Sequence, residues 1–382
     1  MENVKILSVG IGGFANHYIS QMLPKNGDGF EFVGMVEKYP ESCKCLDEIK
    51  SRNIPIYETM EDFYKEHKAD LAIICTPIFL HTSQTLTALK NGSNVMCEKP
   101  LSGVSEDAEI IEKEAEKLGK FVMTGFQWSY SKAILDLKKD ILDGVFGRAI
   151  FLKTLVLWPR DINYFKRGSG WAGKIKTADG TVINDSVAAN ATAHHLHNML
   201  YVTGKESRSA EALNIKADLI RTNDIENFDT SVVSFDLSEG GKGLFIASHS
   251  VKKVVNPTFE YRFEKGTVSY SENEGILRAT FTDGSVKEYG APSKDVHTGK
   301  IYEAIRGCRT EHYTPVCSPY TAAAHVRCIE AIQKEEVHLP ISDFVKRDGD
   351  WIYLEGLDTA LESCYNEEKL LRDTPFMEEL VK

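Results

Sequence analysis

Residues 1–128 alternate near-continuous apolar runs with helix-like segments: "VKILSVG", "FEFVGMVE", "LAIICTP", "NVMCE" and "FVMTGFQ" read as strands, with helices expected at 13–23, 41–52, 82–91 and 105–118 between them. A strand that is apolar at successive positions is buried on both faces of its sheet, and strands joined through helices run parallel. The segment therefore reads as one doubly wound α/β domain. The last of these helices carries Ser105 at its expected N-cap and Glu106 and Asp107 in its positive first turn.

Past residue 128 the rhythm changes. A helix is expected at 131–143, a strand at "AIFLKTLVLW", a long polar loop at 160–184 and a helix at 186–203, after which strands dominate from 210 to 290. Turn signals such as "EGGKG" and "DG" between successive strands point to antiparallel pairing. Helices at 298–308 and 319–334 and an acidic, partly helical tail follow. The expected architecture is a Rossmann α/β domain at 1–128 and an α+β domain at 129–382 with a large open, mainly antiparallel sheet, the latter serving substrate binding and oligomerisation.

A chain of 382 residues, 42% hydrophobic and 26% charged, suffices for two cores. Its net charge of −11, without clustered Lys and Arg, argues against a nucleic-acid partner. The alternating charges from Glu112 to Lys120 read as a solvated helix face. The start "MENVKILSVGIGG" lacks the pattern of a secretory leader, and no later stretch is apolar for long enough to span a bilayer. A cytoplasmic protein with no membrane partner is expected. The eight cysteines show no CxxC pairing and read as reduced thiols. Cys97 adjoins the Glu98-Lys99 pair, where a reactive role competes with that of a small buried hydrophobe.

"VGIGGFA" places Gly10 and Gly12 at the end of the first strand, followed by Gly13 and Phe14, with Ala15 at the third fingerprint position. Such a loop turns tightly, lets a pyrophosphate approach the backbone and packs helix closely on strand. The exposed N–H groups of the helix start then meet the phosphate charge. Glu37 ends the second strand, where a carboxylate accepts from both ribose hydroxyls of NAD and repels a 2′-phosphate. Lys38 offers the opposite charge, so NADP is not excluded.

Two further motifs follow the next strands: "CTPIFLH", with Thr76, Pro77 and His81, and "NVMCEKPLS", with Glu98 and Lys99. Together with the glycine loop they resemble the Gfo/Idh/MocA family, the oxidoreductases related to glucose–fructose oxidoreductase and inositol dehydrogenase. The resemblance implies a nucleotide domain followed by a domain with an open sheet, and assigns the Thr-Pro, His81, Glu98 and Lys99 to the cofactor side. It further implies that Lys99 lies beside the nicotinamide and hydrogen-bonds the hydroxyl that is oxidised. A fixed ammonium there polarises an alcohol and carries its proton.

The family's second signature, Asp-x-Gly-x-His, falls on "NATAHHLHNML". Counting back from Gly204 aligns His194 with the family's catalytic histidine. Asn190 stands where Asp is usual, Thr192 at the glycine and His197 at a commonly acidic position. Asn cannot take a proton, so Asp185 or His197 would have to supply the missing coupling. On an unbroken helix, residues 190, 194, 197, 198 and 201 share one face while His195 points about 100° away from His194. Asn190, His194, His197 and Asn198 are thus expected to line a polar wall facing Lys99. No converging ligand set such as HExxH is recognisable, so no metal is expected.

The preceding loop, "WPRDINYFKRGSGWAGKIKTADG", is similar to that of a sugar- and glycoside-oxidising branch of the family. Trp158, Arg160, Tyr164, Arg167, Trp171 and Lys174 offer stacking faces and donors suited to carbohydrate rings. Trp171 is also assigned to the cofactor, and Gln127 and Trp128 are expected near nicotinamide or substrate. The expected activity is NAD-dependent oxidation of a secondary hydroxyl of a sugar, polyol or glycoside, in a sharper form glycoside oxidation to a keto-glycoside. Alternatives are a glycosidase that uses NAD transiently and a non-catalytic nucleotide- or sugar-binding regulator. A homo-oligomer is expected, because an open antiparallel sheet needs cover.

Overall fold

The computed structural model describes residues 2–167, 170–293 and 296–380. Gly168 and Ser169, within the loop singled out above, lie outside the described residues. The chain divides into two compact units, Met1–Tyr130 with Asp295–Ala323, and Ser131–Lys294 with Ala324–Lys382.

The first unit is built on six strands: β1 (Val4–Val9), β2 (Phe30–Val36), β3 (Ile56–Tyr57), β4 (Leu71–Ile74), β5 (Asn94–Cys97) and β6 (Val122–Thr124). All pair in parallel, in the order β3-β2-β1-β4-β5-β6. The strand order reverses between β1 and β4, and ligands of such sheets bind at the carboxyl ends beside that point. Every residue of β4 is buried, as its unbroken run of Leu, Ala and Ile requires of a central strand. The helices differ in detail from expectation. The segment 41–52 is a 3-10 turn and a helix, Leu46–Ser51. The short β3 and the helix Met60–Glu66, capped by Thr59, carry too few residues for periodicity to reveal. Ser105 precedes the helix Glu106–Leu118 with helical rather than extended backbone angles.

The domain boundary at 128 is corrected by residues 295–323. The helix Val296–Cys308 contributes Ile301, Ala304 and Ile305 to the same apolar cluster as Ile6, Tyr18, Leu71 and Met96. Its contacts run to β4, β5 and the helix Asn16–Met22. An apolar stripe that finds its burial against the Rossmann core folds with that core, whatever its place in the chain.

The second unit carries β7 (Ala149–Leu157), β8 (Ala212–Ile220), β9 (Thr230–Leu237), β10 (Lys242–Ser248), β11 (Val255–Phe263), β12 (Gly266–Ser271), β13 (Leu277–Phe281), β14 (Val286–Gly290) and β15 (Val337–His338). They form one sheet ordered β14-β13-β12-β11-β7-β10-β9-β8-β15. Only β7 with β10 and β8 with β15 are parallel, so the sheet is mainly antiparallel as expected. A separate hairpin pairs β16 (Val345–Asp348) with β17 (Trp351–Leu354).

Successive residues of β7 face opposite ways. Leu155 and Leu157 join Leu244 and Ile246 of β10 in a cluster closed by Leu357, Leu361 and Cys364 of the helix Leu357–Glu367. On the other face, the Thr154 hydroxyl lies 3.5 Å from that of Tyr261, which accepts from the Asn198 amide of the helix Ala193–Thr203 at 3.2 Å. The tail thus covers part of a sheet face that the sequence reading left open for a second subunit.

Among the described residues no helix is long and apolar enough to cross a membrane, and no group of three or more His, Cys, Asp or Glu side chains is arranged to hold a metal ion. All eight cysteines are unbridged. Cys97 is fully buried and burial pushes its thiol pKa up, which makes it a small hydrophobe.

Candidate active site

The glycine loop explains itself sterically. Gly10 has φ +83°, and a Cβ there would meet the Cys75 carbonyl oxygen at 2.7 Å. A Cβ on Gly12 would lie 2.2 Å from Ser42 Oγ and 3.8 Å from Glu37 Oε2. Gly13 also needs a positive φ, +49°, while Ala15 is fully buried between helix and strand and Phe14 is exposed. Glu37 braces this turn. Its carboxylate accepts from the Ile11 N–H at 3.1 Å and the Tyr39 N–H at 3.0 Å. A carboxylate offers about four acceptor sites, so two backbone bonds leave capacity for ribose hydroxyls. Lys38 is exposed, its ammonium 5.6 Å from the centre of the Tyr39 ring.

Beside this loop, at the end of β4, Thr76 donates to Gln84 Oε1 at 2.5 Å. His81 is 1% exposed and its ring bridges the Pro100 and Thr76 carbonyl oxygens at 2.8 and 2.9 Å. Burial lowers its pKa below the ordinary value. This corrects its assignment to the cofactor: a sealed neutral ring, donating from one nitrogen to one of these carbonyls and packed against the other, lies between the Thr76-Pro77 turn and the Lys99-Pro100 turn.

Glu98 receives a similar correction. It is 5% exposed and forms an ion pair with Lys300, which is fully buried. Tyr18 donates to the same carboxylate at 3.4 Å and the Lys99 N–H at 3.3 Å. Lys300 also donates to the Gly125 carbonyl at 3.3 Å. Burial, with the Glu98 charge second, pushes the neighbouring Cys75 thiol up to about 12. Glu98 is therefore an internal anchor, whereas Lys99 beside it is only half-buried. At the end of β6, Gln127 opens a 3-10 turn, and its buried Oε1 has no hydrogen-bond partner among the described residues. Sequence reasoning missed Lys300 and Tyr18. Lys300 stands four residues before Ala304 on an apolar helical stripe, and a lysine in that register was the available signal.

In the second unit the expected polar wall does not form. The helix begins at Ala193, with turns from 186 to 192, so Asn190 precedes it and the assumed register breaks there. His197 is 1% exposed, stacks on Tyr201 with ring centres 5.7 Å apart, and has its pKa driven well below the ordinary value by burial and then by His325 and Lys138. Asn198 is 1% exposed and turned toward Tyr261. Both belong to the unit's interior, which removes them from the substrate-binding set. His194 is the one residue of Ala193–Thr203 that is not buried. His195 is buried with its ring edge-on to Trp158 at 5.7 Å.

Asn190, in the place of an expected Asp, donates to Asp185 Oδ1 at 2.8 Å, and Asp185 Oδ2 accepts from the Gly173 N–H at 2.6 Å. The carboxylate missing from position 190 thus stands one hydrogen bond away. The loop that supplies Gly173 is no plain loop: Asp161 caps a short helix, Ile162–Lys166, by accepting from the Tyr164 N–H at 3.0 Å. Arg160 and Arg167 stack on Tyr164 at 5.0 and 3.6 Å, and reach Trp158 and Trp171 at 5.8 and 5.2 Å. Trp158 Nε1 donates to Asn256 at 3.1 Å, and Lys174 is half-buried.

Residues 4–126 match the model of the Gfo/Idh/MocA oxidoreductase family, NAD-binding Rossmann fold. The Rossmann unit of this chain is similar to that family's NAD-binding domain. This Rossmann domain is accordingly an NAD-binding one. Among curated family relatives, a 2,7-anhydro-N-acetylneuraminate hydratase of Mediterraneibacter gnavus is 23% identical over 199 residues, covering 52% of this chain and 48% of that protein. A D-glucoside 3-dehydrogenase of Escherichia coli is 26% identical over 151 residues, 40% of this chain and 42% of that protein. Both matches thus span less than half the relative's length. Of solved structures, the WlbA dehydrogenase of Bordetella pertussis in complex with NADH and UDP-GlcNAcA has TM-score 0.69 and 19% identity, covering 87% of this chain and 96% of that one. At that identity the likeness speaks for the fold.

Proposed function

We propose that this protein is an NAD-dependent oxidoreductase that oxidises a secondary hydroxyl of a sugar, polyol or glycoside. The observation that carries the reading is Lys99 at the carboxyl end of β5, half-buried and held through Glu98 and Lys300, in a Rossmann unit whose loop is shaped for a dinucleotide. Bound NAD supplies the hydride acceptor; the chain supplies binding, orientation and proton handling. Gly10 and Gly12 admit the pyrophosphate to the backbone and Glu37 receives the ribose. Lys99 is the group of this unit assigned to polarise the hydroxyl, and His194 the group of the sheet unit assigned to its proton. Trp158, Tyr164, Trp171 and Lys174 offer rings and a donor for a carbohydrate.

The test is absorbance of reduced nicotinamide on adding NAD and a panel of monosaccharides, polyols and aryl glycosides. NADH formation with one group, lost in Lys99→Met while NAD affinity stays near normal, is the expected result. Near-normal turnover in Lys99→Met removes Lys99 from the mechanism. A hydratase among the relatives favours one second reading, transient oxidation with cofactor recycling. Aglycone release without net NADH would select it.

A further inference from the structure

Several arginines of the sheet unit reach a carboxylate: Arg148 pairs with Glu264, Arg262 with Glu368, Arg278 with Glu288, Arg327 with Glu211 and Arg372 with Asp218. Arg160 and Arg167 do not, among the described residues. Their guanidinium groups lie 5.0 and 3.6 Å from the centre of the Tyr164 ring, and both residues are half-buried. Of the nearby carboxylates, Asp161 accepts from the Tyr164 N–H and Asp185 from the Gly173 N–H and the Asn190 amide. Arg167 Nη1 donates to the Tyr164 carbonyl at 2.5 Å, while Arg160 Nε is buried with no hydrogen-bond partner among the described residues.

Ring contacts hold two cations close together but satisfy neither their charge nor their N–H donors. The third basic group, His249, is 2% exposed and meets Tyr164 edge-on at 5.3 Å. Burial, then Arg160 and Arg167, brings its pKa down to about 3, so it is neutral; its Nδ1–H donates to the Trp158 carbonyl at 2.7 Å. The cluster therefore carries two guanidinium forks that reach no carboxylate among the described residues, with the geometry that carboxylates and phosphates fill bidentately. We propose that Arg160 and Arg167 form an anion subsite, and that the sugar or polyol taken by this protein carries a carboxylate or a phosphate. This rests on the proposed sugar oxidation and names the substrate class within it.

Calorimetric titration without NAD compares D-glucuronate, glucose 6-phosphate and inorganic phosphate with glucose. One of the two anionic sugars should bind at least about tenfold tighter than glucose, which identifies the anion, and the advantage should shrink as salt rises. Phosphate binding alone, with neither sugar preferred, overturns the substrate assignment. Arg160→Met with Arg167→Met should bring the ratio to within about twofold, while Arg160→Lys with Arg167→Lys, which keeps stems and charges, should retain part of it. An unchanged far-ultraviolet circular dichroism spectrum and urea transition show that the sheet unit of the variants is folded. Equal binding of charged and neutral sugars, no binding of any anion, or an advantage that survives the Met pair overturns the proposal. NADH formation in the same solutions separates the two readings. Anion binding without NADH refutes oxidation alone, whereas glucose oxidised as efficiently as both anionic sugars refutes the subsite alone.

Discussion

Replacing Lys300 by Met tests whether the Glu98-Lys300 pair anchors the nucleotide unit. Both partners are sealed, Lys300 at 0% and Glu98 at 5% exposure, so the substitution leaves a carboxylate with no counter-charge and little water. Met keeps the volume of the aliphatic stem, so packing changes little. Breaking a buried pair at one end costs about 3–5 kcal/mol, because the remaining charge stays desolvated. The surviving donors to Glu98, Tyr18 at 3.4 Å and the Lys99 N–H at 3.3 Å, are too long to replace an ammonium. Glu98→Gln with Lys300→Met removes both charges and should recover most of the loss, since apolar replacement of both ends of such a pair is often neutral. The cycle should show a coupling of at least about 2 kcal/mol. Trp128 lies in the nucleotide unit and Trp158, Trp171 and Trp351 in the other. Urea unfolding followed by fluorescence, with those three changed to Phe, therefore reports the nucleotide unit. A Lys300→Met loss below about 1 kcal/mol, or single losses that simply add in the double variant, would refute the reasoning.

Other expectations can be checked on the same protein. His194→Ala should lower turnover more than His195→Ala, since His194 alone on its helix is not buried; equal losses in steady-state kinetics would deny it a special role. Glu37→Ser should narrow the preference for NAD over NADP, and an unchanged ratio of kcat/KM values would mean that other groups read the ribose. His249 has a folded-state pKa of about 3 against an ordinary 6.5, so as pH falls the unfolded chain takes up the proton first. Its contribution is constant above pH 6.5 and turns against the fold between 6.5 and 3, by about 2 kcal/mol at pH 5. His249→Asn should therefore lose less stability than wild type between pH 8 and pH 5 in urea titrations, and parallel losses would count against a buried neutral ring.

The Rossmann core was legible because its strands are buried on both faces, so that each appears as an apolar run, and because glycine positions such as Gly10 answer to backbone sterics alone. The open sheet was legible from turn signals between alternating strands. What escaped has a common cause. His81, Glu98, His197 and Asn198 are polar residues beside motifs, and sequence position does not reveal whether a side chain points outward or into a sealed interior. The register of 186–203 failed because an unbroken helix was assumed across Asn190, whereas its first part is a chain of turns. The partners of Glu98 and Asn190 are Lys300 and Asp185, one set by a contact 202 residues away and the other by a turn five residues back.

The discontinuity of the nucleotide unit has a consequence for how the chain is made. Its N-terminal part, through Tyr130, leaves the ribosome before Lys300 exists. At roughly 5–20 residues per second, about ten to thirty seconds pass before the cation that neutralises Glu98 and the apolar stripe that completes the core emerge. Until then Glu98 has no ammonium to justify its burial, and the nascent sheet must stay hydrated around it. A fragment cut at residue 128 would be arrested at that stage, so an isolated cofactor domain needs residues 295–323 supplied with it.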